Sequence, residues 1–264
     1  MRAIVTGATE GGIGAAISKR LCTDAVARGD SVKKIAVCAS SLHGGLQKTV
    51  DELTTLGAEV LPLAGNLADP DVPPRLIEEA ARFCGGLDAV VANAGIYKVG
   101  VLSSLTLEDW ELVFNVNARS AWLLAKAAYP FLRDSRGSMV VIGSNAAEFA
   151  IPGGGPYAAS KAAVLMMARQ LALEWAADGV RVNVVSPGPI RTPMNTMLKN
   201  PEFLANREAV IPMHRLGEPE DIAGVVAFLL GEDAGFVTGE NLSADGGFAR
   251  SGMSRLPPGK IYKV

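Results

Sequence analysis

The stretch Arg2-Ala3-Ile4-Val5-Thr6-Gly7-Ala8-Thr9-Glu10-Gly11-Gly12-Ile13-Gly14 decides how this chain is read. Its apolar run Ala3–Val5 is short and β-like, and a helical pattern follows over residues 13–24. Between them Gly7, Gly11, Gly12 and Gly14 let the backbone turn tightly and come close to a ligand. Backbone amides exposed at a helix N-terminus, where the partial charge is positive, form a ready site for a pyrophosphate. A glycine-rich turn alone is also an ordinary strand-to-helix connection. A strand before it and a helix after it supply the context that dinucleotide binding requires.

Outward from that turn the alternation repeats. Apolar runs recur at Ile35–Cys38, Val60–Leu63, Ala89–Ala92, Met139–Ile142 and Val180–Val185, with a weaker one at Asn241–Ala244. Helical patterns lie between them, near 43–56, 71–84, 106–132, 156–178 and 218–230. Short runs alternating with helices predict an α/β chain with a parallel sheet of about seven strands, covered by helices on both faces. The helix near 106 opens with Thr106 as N-cap and acids Glu108 and Asp109 in its first turn. Another opens at Glu218-Pro219-Glu220-Asp221. No repeat or Ser/Pro-rich linker divides the chain. The expected plan is one domain over 1–247, with a proline-rich, irregular lid at about 188–217 and a basic tail at 248–264.

Composition excludes several classes. Lys plus Arg number 25 against 27 Asp plus Glu, a net charge of −2, and no basic run marks a nucleic-acid groove or an anionic membrane face. The apolar run Val225–Leu230 is far below the roughly 20 residues of a membrane span, and the start shows no secretory-leader pattern. Cys22, Cys38 and Cys84 have no metal-ligand spacing and suit a reducing compartment. With only His43 and His214 available, no metal site is expected. The expectation is a soluble, cytoplasmic protein.

A second feature is Tyr157-Ala158-Ala159-Ser160-Lys161 inside a helical stretch. A spacing of four places Tyr157 and Lys161 one turn apart on the same face. A phenol titrates near 10, and a neighbouring ammonium that favours phenolate would suit it for proton transfer at milder pH. Ser144 follows the run Met139–Ile142, Asn93-Ala94-Gly95 follows Ala89–Ala92, and Pro187-Gly188 follows Val180–Val185. In open α/β sheets ligands bind at such carboxyl ends of strands.

Taken together, the glycine turn, Asn93-Ala94-Gly95, Asn117, Ser144, Tyr157 with Lys161, Asn183 with Ser186-Pro187-Gly188, and Asp245-Gly246-Gly247 resemble the short-chain dehydrogenase/reductase family, in its order, over about residues 2–247. The resemblance implies a Rossmann-type doubly wound sheet, a nicotinamide cofactor, hydride transfer between cofactor and an alcohol or carbonyl carbon, and a dimer or tetramer. It implies Tyr157 as general acid or base and Lys161 as the group that holds the nicotinamide ribose and lowers the tyrosine pKa. Ser144 would polarise the reacting oxygen. Asn117, rather than Asn115, would keep a water in a proton relay. Implied cofactor contacts are Gly7, Thr9, Gly12, Ile13 and Gly14 in the first turn, Ser40 and Ser41 after the second strand, Asn66 and Leu67 after the third, and Asn93, Ala94 and Gly95 after the fourth. Pro187, Gly188, Ile190 and Thr192 complete the set with Tyr157 and Lys161. Glu148 and Phe149 are expected at the substrate mouth beside Ser144 and Tyr157.

The departures are specific. Four residues separate Gly7 from Gly12 where the family has three, so the loop bulges or Gly11 takes a shifted role. The connection Asp24–Lys34 is longer than usual, and Asn66 replaces a common aspartate. Ala39 stands where an acid would bind the ribose hydroxyls of NAD and repel a 2′-phosphate, and Ser40 and Ser41 follow; this leans towards NADP over NAD, with Glu10 arguing the other way. The favoured substrate is a small secondary alcohol or ketone. Reductases of carrier-bound 3-oxoacyl chains are the alternative, and Asp178 puts an acid where an acidic carrier would dock. A non-catalytic nucleotide sensor on this fold is the second alternative, although Ser144, Tyr157 and Lys161 all stand. Trp122, Leu123, Leu124, Ala127 and Ala128 read as core plus a helix packed on a partner subunit.

Overall fold

In the computed structural model, which describes residues 1–27, 33–195 and 200–251, each apolar run becomes a strand. They are β1 (Arg2–Thr6), β2 (Lys33–Ala39), β3 (Ala58–Ala64), β4 (Ala89–Ala92), β5 (Ser138–Ile142), β6 (Arg181–Pro187) and β7 (Asn241–Ala244). All six pairings are parallel, in the order β3-β2-β1-β4-β5-β6-β7. The order reverses between β1 and β4, so the crevice at their carboxyl ends is the switch point where doubly wound sheets take their ligands.

Successive strand residues point to opposite faces, and two cores result. Ile4, Val90, Met139 and Val141 pack on one face with α3 (Val72–Cys84), α5 (Ser120–Ser135) and α6 (Tyr157–Trp175). Ala3, Val5, Val91, Val140 and Ile142 pack on the other with α1 (Ile13–Ala27), α2 (Gly45–Thr55) and α8 (Pro219–Leu230). Thr106 caps α4 (Leu107–Phe114), its hydroxyl accepting from the Asp109 amide at 3.2 Å. Glu218 and Asp221 form a reciprocal capping box at α8.

The structure corrects several boundaries. The single helix expected over 106–132 is broken: α4 ends at Phe114, Asn115–Arg119 form one π-helical turn, and α5 continues to Ser135. The lid expected to be irregular contains α7 (Pro201–Ala209), capped by the Asn200 side chain on the amides of Glu202 and Phe203. Helix α1 runs on to Ala27, so the start of the connection expected at Asp24–Lys34 is helical, and 28–32 lie outside the described residues. Pro187 is the last residue of β6 rather than the first of a loop. Of the expected tail, Phe248–Arg250 form a short 3-10 turn, while 252–264, like 196–199 of the lid, lie outside the described residues. No helix of the described residues is long and apolar enough to cross a membrane.

Candidate active site

The two strand ends at the switch point are sewn together by Thr6 and Asn93. The Thr6 hydroxyl accepts from the amides of Asn93 at 3.0 Å and Ala94 at 3.1 Å. The Asn93 side chain donates back to the carbonyls of Thr6 at 2.7 Å and Gly7 at 3.1 Å. Helix α1 enters so close to this seam that a Cβ on Gly14 would lie 2.5 Å from the Gly7 oxygen. Its first turn carries no acid, so nothing there opposes an anion.

The extra loop residue is absorbed on the outside. A turn closed by the Gly12 amide on the Thr9 carbonyl (3.0 Å) takes it up, with Gly11 in the left-handed region at φ 68°. Gly12 itself keeps an ordinary backbone. The exposed Glu10 is thereby pushed towards α2, where its amide donates to the Gly45 carbonyl at 2.9 Å and its carboxylate meets Lys48 at 2.9 Å.

At the carboxyl end of β5, Ser144 is buried, its hydroxyl accepts from the Ala146 amide at 3.1 Å, and it lies close enough to Tyr157 to favour the phenolate. Tyr157 opens α6, and one turn on the Lys161 ammonium lies 5.8 Å from the centre of its ring. Lys161 is 4% exposed and donates to the Ile142 carbonyl at 2.7 Å. Burial holds its pKa down at about 8. The expected lowering of the tyrosine does not carry the balance: burial pushes the Tyr157 phenol above its ordinary value, and the group that pulls it down is Ser144. The aromatic edge of Tyr97, unforeseen in the sequence although it follows Asn93-Ala94-Gly95 closely, meets the Tyr157 ring at 5.0 Å between centroids and 77° between planes.

Asn117, in the π turn, is buried and fully engaged. Its oxygen accepts from the Ile96 amide at 2.8 Å, and its nitrogen donates to the Ile96 carbonyl and the Ser160 hydroxyl, each at 3.0 Å. It thus clamps the loop after β4 against α6. Gly95 lies in the same corner, where an added Cβ would stand 3.4 Å from Asn117 Oδ1 and 3.6 Å from Lys161 Nζ.

A family model described as enoyl-(acyl carrier protein) reductase matches residues 7–249. Human dehydrogenase/reductase SDR family member 4 is 36% identical, over 93% of this chain and 86% of its own length. The chain belongs to the short-chain dehydrogenase/reductase family. It is an oxidoreductase by that membership. Versicolorin reductase of Emericella nidulans is 33% identical, covering 94% of this chain and 95% of that one. Among solved structures, a blue fluorescent protein from a metagenomic library in complex with NADPH is 39% identical with a TM-score of 0.85, over 94% and 97% of the two chains. A Burkholderia cenocepacia short-chain dehydrogenase in complex with NADP is 33% identical at the same TM-score and coverage.

Around this dehydrogenase/reductase core the remaining expected contacts divide. Ser40 and Ser41 are exposed at the end of β2, as are Thr9 in the glycine loop and Asn66 after β3. The Asn66 side chain closes its own turn by accepting from the Ala68 amide at 3.0 Å. Leu67 and Ile190 are buried, and both send their side chains into the core, so only their backbones are available to a ligand. Ile13 is half-buried at the start of α1. Gly188 packs on Asp245, where a Cβ would come within 2.5 Å, and Thr192 is half-buried with its carbonyl accepting from Asn195 at 3.1 Å. Phe149 is exposed. Glu148 is exposed, and its carboxylate accepts from Asn241 of β7 at 3.0 Å, while Asn241 accepts from Ser186. That chain fastens the segment after β5 to β6 and β7.

Proposed function

We propose that this protein is an NAD(P)-dependent oxidoreductase acting on a small secondary alcohol or ketone, with Ser144, Tyr157 and Lys161 carrying the proton chemistry. The observation that carries the reading is the meeting of buried Ser144, at the carboxyl end of β5, with Tyr157 and the buried Lys161 one turn apart on α6. The switch point fits a nicotinamide dinucleotide. It offers a helix N-terminus free of acid and glycines whose Cβ atoms would fill the cradle. The similar proteins solved with NADP and NADPH support the same reading. Gly7, Thr9, Gly12, Ile13, Gly14, Ser40, Ser41, Asn66, Leu67, Asn93, Ala94 and Gly95 would hold the dinucleotide on one side, and Pro187, Gly188, Ile190 and Thr192 on the other.

When bound, the nicotinamide supplies or accepts the hydride. The protein's residues handle the oxygen. Ser144 donates a hydrogen bond to it, offsetting charge that develops in the transition state. Tyr157 passes its proton to that oxygen in reduction and removes it in oxidation. A phenol is protonated at neutral pH, so Tyr157 is ready as an acid, and burial pushes its titration further up. The Asn117 side chain is committed to Ile96 and Ser160, so any part it takes in a proton relay falls to its backbone.

An acyl-carrier substrate is the second reading, favoured by the description of the matching family model. Asp178 weighs against it: the acid holds the Tyr129 hydroxyl at 2.6 Å at the place where an acidic carrier would dock.

A panel of ketones, alcohols and thioesters, free and carrier-bound, followed by absorbance of the reduced nicotinamide, tests the assignment. Tyr157→Phe is expected to lower turnover by roughly 10²–10⁴ while NADPH still binds, as read by nucleotide fluorescence. Equal turnover by both proteins removes Tyr157 from the mechanism. Faster turnover of the carrier-bound thioester than of its free mimic transfers the assignment to the second reading. Nucleotide binding without turnover on any substrate leaves only the sensor.

A further inference from the structure

We propose that the Glu10–Lys48 ion pair sets the choice between NADP and NAD, with Lys48 as the cation that receives a 2′-phosphate and Glu10 as its competitor. The inference rests on the cofactor reading above; it adds Lys48, which the sequence reading did not single out, and gives Glu10 a geometric role.

The glycine loop runs along the connection from β2 to α2. The Ala8 amide donates to the Cys38 carbonyl at 3.0 Å, and the Glu10 amide donates to the Gly45 carbonyl at 2.9 Å. That connection, Ser40-Ser41-Leu42-His43-Gly44, contains no carboxylate and no lysine or arginine. In sheets of this kind, a group at this strand end reads the adenosine ribose, an acid selecting its free hydroxyls and a cation its 2′-phosphate. Here both charges come from either side of the gap. Lys48, in the first turn of α2, reaches back over the loop. Its Nζ lies 2.9 Å from one Glu10 carboxylate oxygen and 3.1 Å from the other. Glu10 reaches it because the extra loop residue turns the chain outward at Gly11.

The pair is exposed on both sides, with side chains 64% and 50% accessible, so the mutual attraction is weak and Lys48 can change partner. A phosphate monoester carries a charge between about −1.5 and −2 at pH 7, more than one carboxylate, and competes well for the ammonium. Once Lys48 turns to the phosphate, Glu10 is left as an uncompensated acid beside it. The consequence is a moderate preference for NADP with NAD still accepted. Glu52, one turn along α2, is already engaged by Lys19 of α1 at 3.7 Å and does not draw Lys48 away.

The test is direct binding of NADPH and NADH to the enzyme without substrate, by nicotinamide fluorescence, with adenosine 2′,5′-bisphosphate and 5′-AMP titrated calorimetrically as probes of the adenosine end. Lys48→Met is expected to weaken NADPH and the bisphosphate by about tenfold, leaving NADH and 5′-AMP within twofold. Glu10→Gln is expected to tighten NADPH by about threefold, again sparing NADH. If either variant shifts both members of each nucleotide pair alike, the ion pair is only a brace between loop and helix, and the proposal is overturned. Wild-type protein that binds neither NADPH nor NADH overturns the cofactor reading itself, a result distinct from loss of discrimination. Circular dichroism separates these outcomes from misfolding, and the high exposure of Lys48 makes its replacement the safer of the two variants.

Discussion

A lysine that is 4% exposed, with the Ile142 carbonyl as partner and no carboxylate bridged to it among the described residues, is a costly group to bury as a cation. Its pKa records that cost, having fallen from 10.5 to about 8 through burial. In the unfolded chain Lys161 keeps its proton up to its ordinary value. Between about pH 8 and 10.5 the unfolded state therefore binds more protons than the folded one, and stability rises with pH across that window. Below it, both states are protonated and the folded protein carries the whole penalty, on the order of 3 kcal/mol. Against this stands the charged hydrogen bond to Ile142, worth about 1.5–3 kcal/mol. Lys161→Met should then be as stable as wild type at pH 7, or more stable by about 1 kcal/mol, and the margin should shrink as pH approaches 10. Urea melts at pH 7 and 10 measure it, and a marked loss at pH 7 would show that the lysine stabilises the fold. Turnover should nevertheless collapse, because stability and function oppose each other at this residue. The pairing of Tyr157 with Lys161 was legible in their spacing of four. The direction of the tyrosine shift was not, because it depends on how tightly α6, Ser144 and Tyr97 enclose the ring, which is tertiary information.

Helix boundaries show the same division between local and tertiary signals. The strands were read to within a residue or two, because a parallel sheet buried on both faces needs near-continuous aliphatic runs. The caps at Thr106 and Glu218 were legible because capping is chemistry between neighbours. The π turn at Asn115–Arg119 had no such signal: its sequence continues an acceptable helical pattern. What marks it is Asn117, whose bonds go to Ile96 and Ser160 on other elements, and Arg119, whose guanidinium reaches the Ala68 carbonyl after β3. Helix α7 was missed because its short pattern sits in a proline-rich stretch, where Pro201 at the first helical position reads equally as a breaker. Asn117→Ala removes bonds to two backbone groups of Ile96 and one to Ser160, leaving polar atoms without partners in a buried corner. A loss of about 2–4 kcal/mol follows if two of them stay unsatisfied, with turnover falling further than cofactor affinity as the loop after β4 slips relative to Tyr157. Thermal melts and nucleotide titration of the same variant separate the two effects, and a variant equal to wild type in both would remove the clamp from the argument.

At the scale of the molecule, the parallel order β3-β2-β1-β4-β5-β6-β7 is what turns scattered strand-end residues into one rim. The sequence placed Gly7, Asn93, Ser144 and Pro187 after strands, and the alternation with helices predicted a parallel sheet whose carboxyl ends share one edge. Which strands are neighbours is set by crossovers, so the switch point between β1 and β4 had no local signal. The face away from that rim's chemistry carries a different message. Helices α4, α5 and α6 expose Trp110, Trp122, Met166 and Leu173, with Trp122 at 45% and Leu173 at 80% accessible, while Leu124 and Ala128 of the same α5 are buried in the core. Large exposed apolar side chains on neighbouring helices mark an interface, and closed symmetric pairing of identical chains is the commonest way to cover one. We therefore expect a dimer or tetramer with these helices at its contact. Trp122→Glu tests it cleanly, since Lys126 already lies over the Trp122 ring at 5.5 Å, one turn along the same helix, and can pair with a glutamate at that position. The monomer fold should survive the change. Across a two-fold contact the substitution enters twice, so light scattering coupled to size exclusion should show the wild-type assembly falling to a smaller species at unchanged circular dichroism. A wild-type protein that already elutes as a monomer, or a variant assembly of unaltered mass, would place the interface elsewhere and leave the exposed tryptophans to another role.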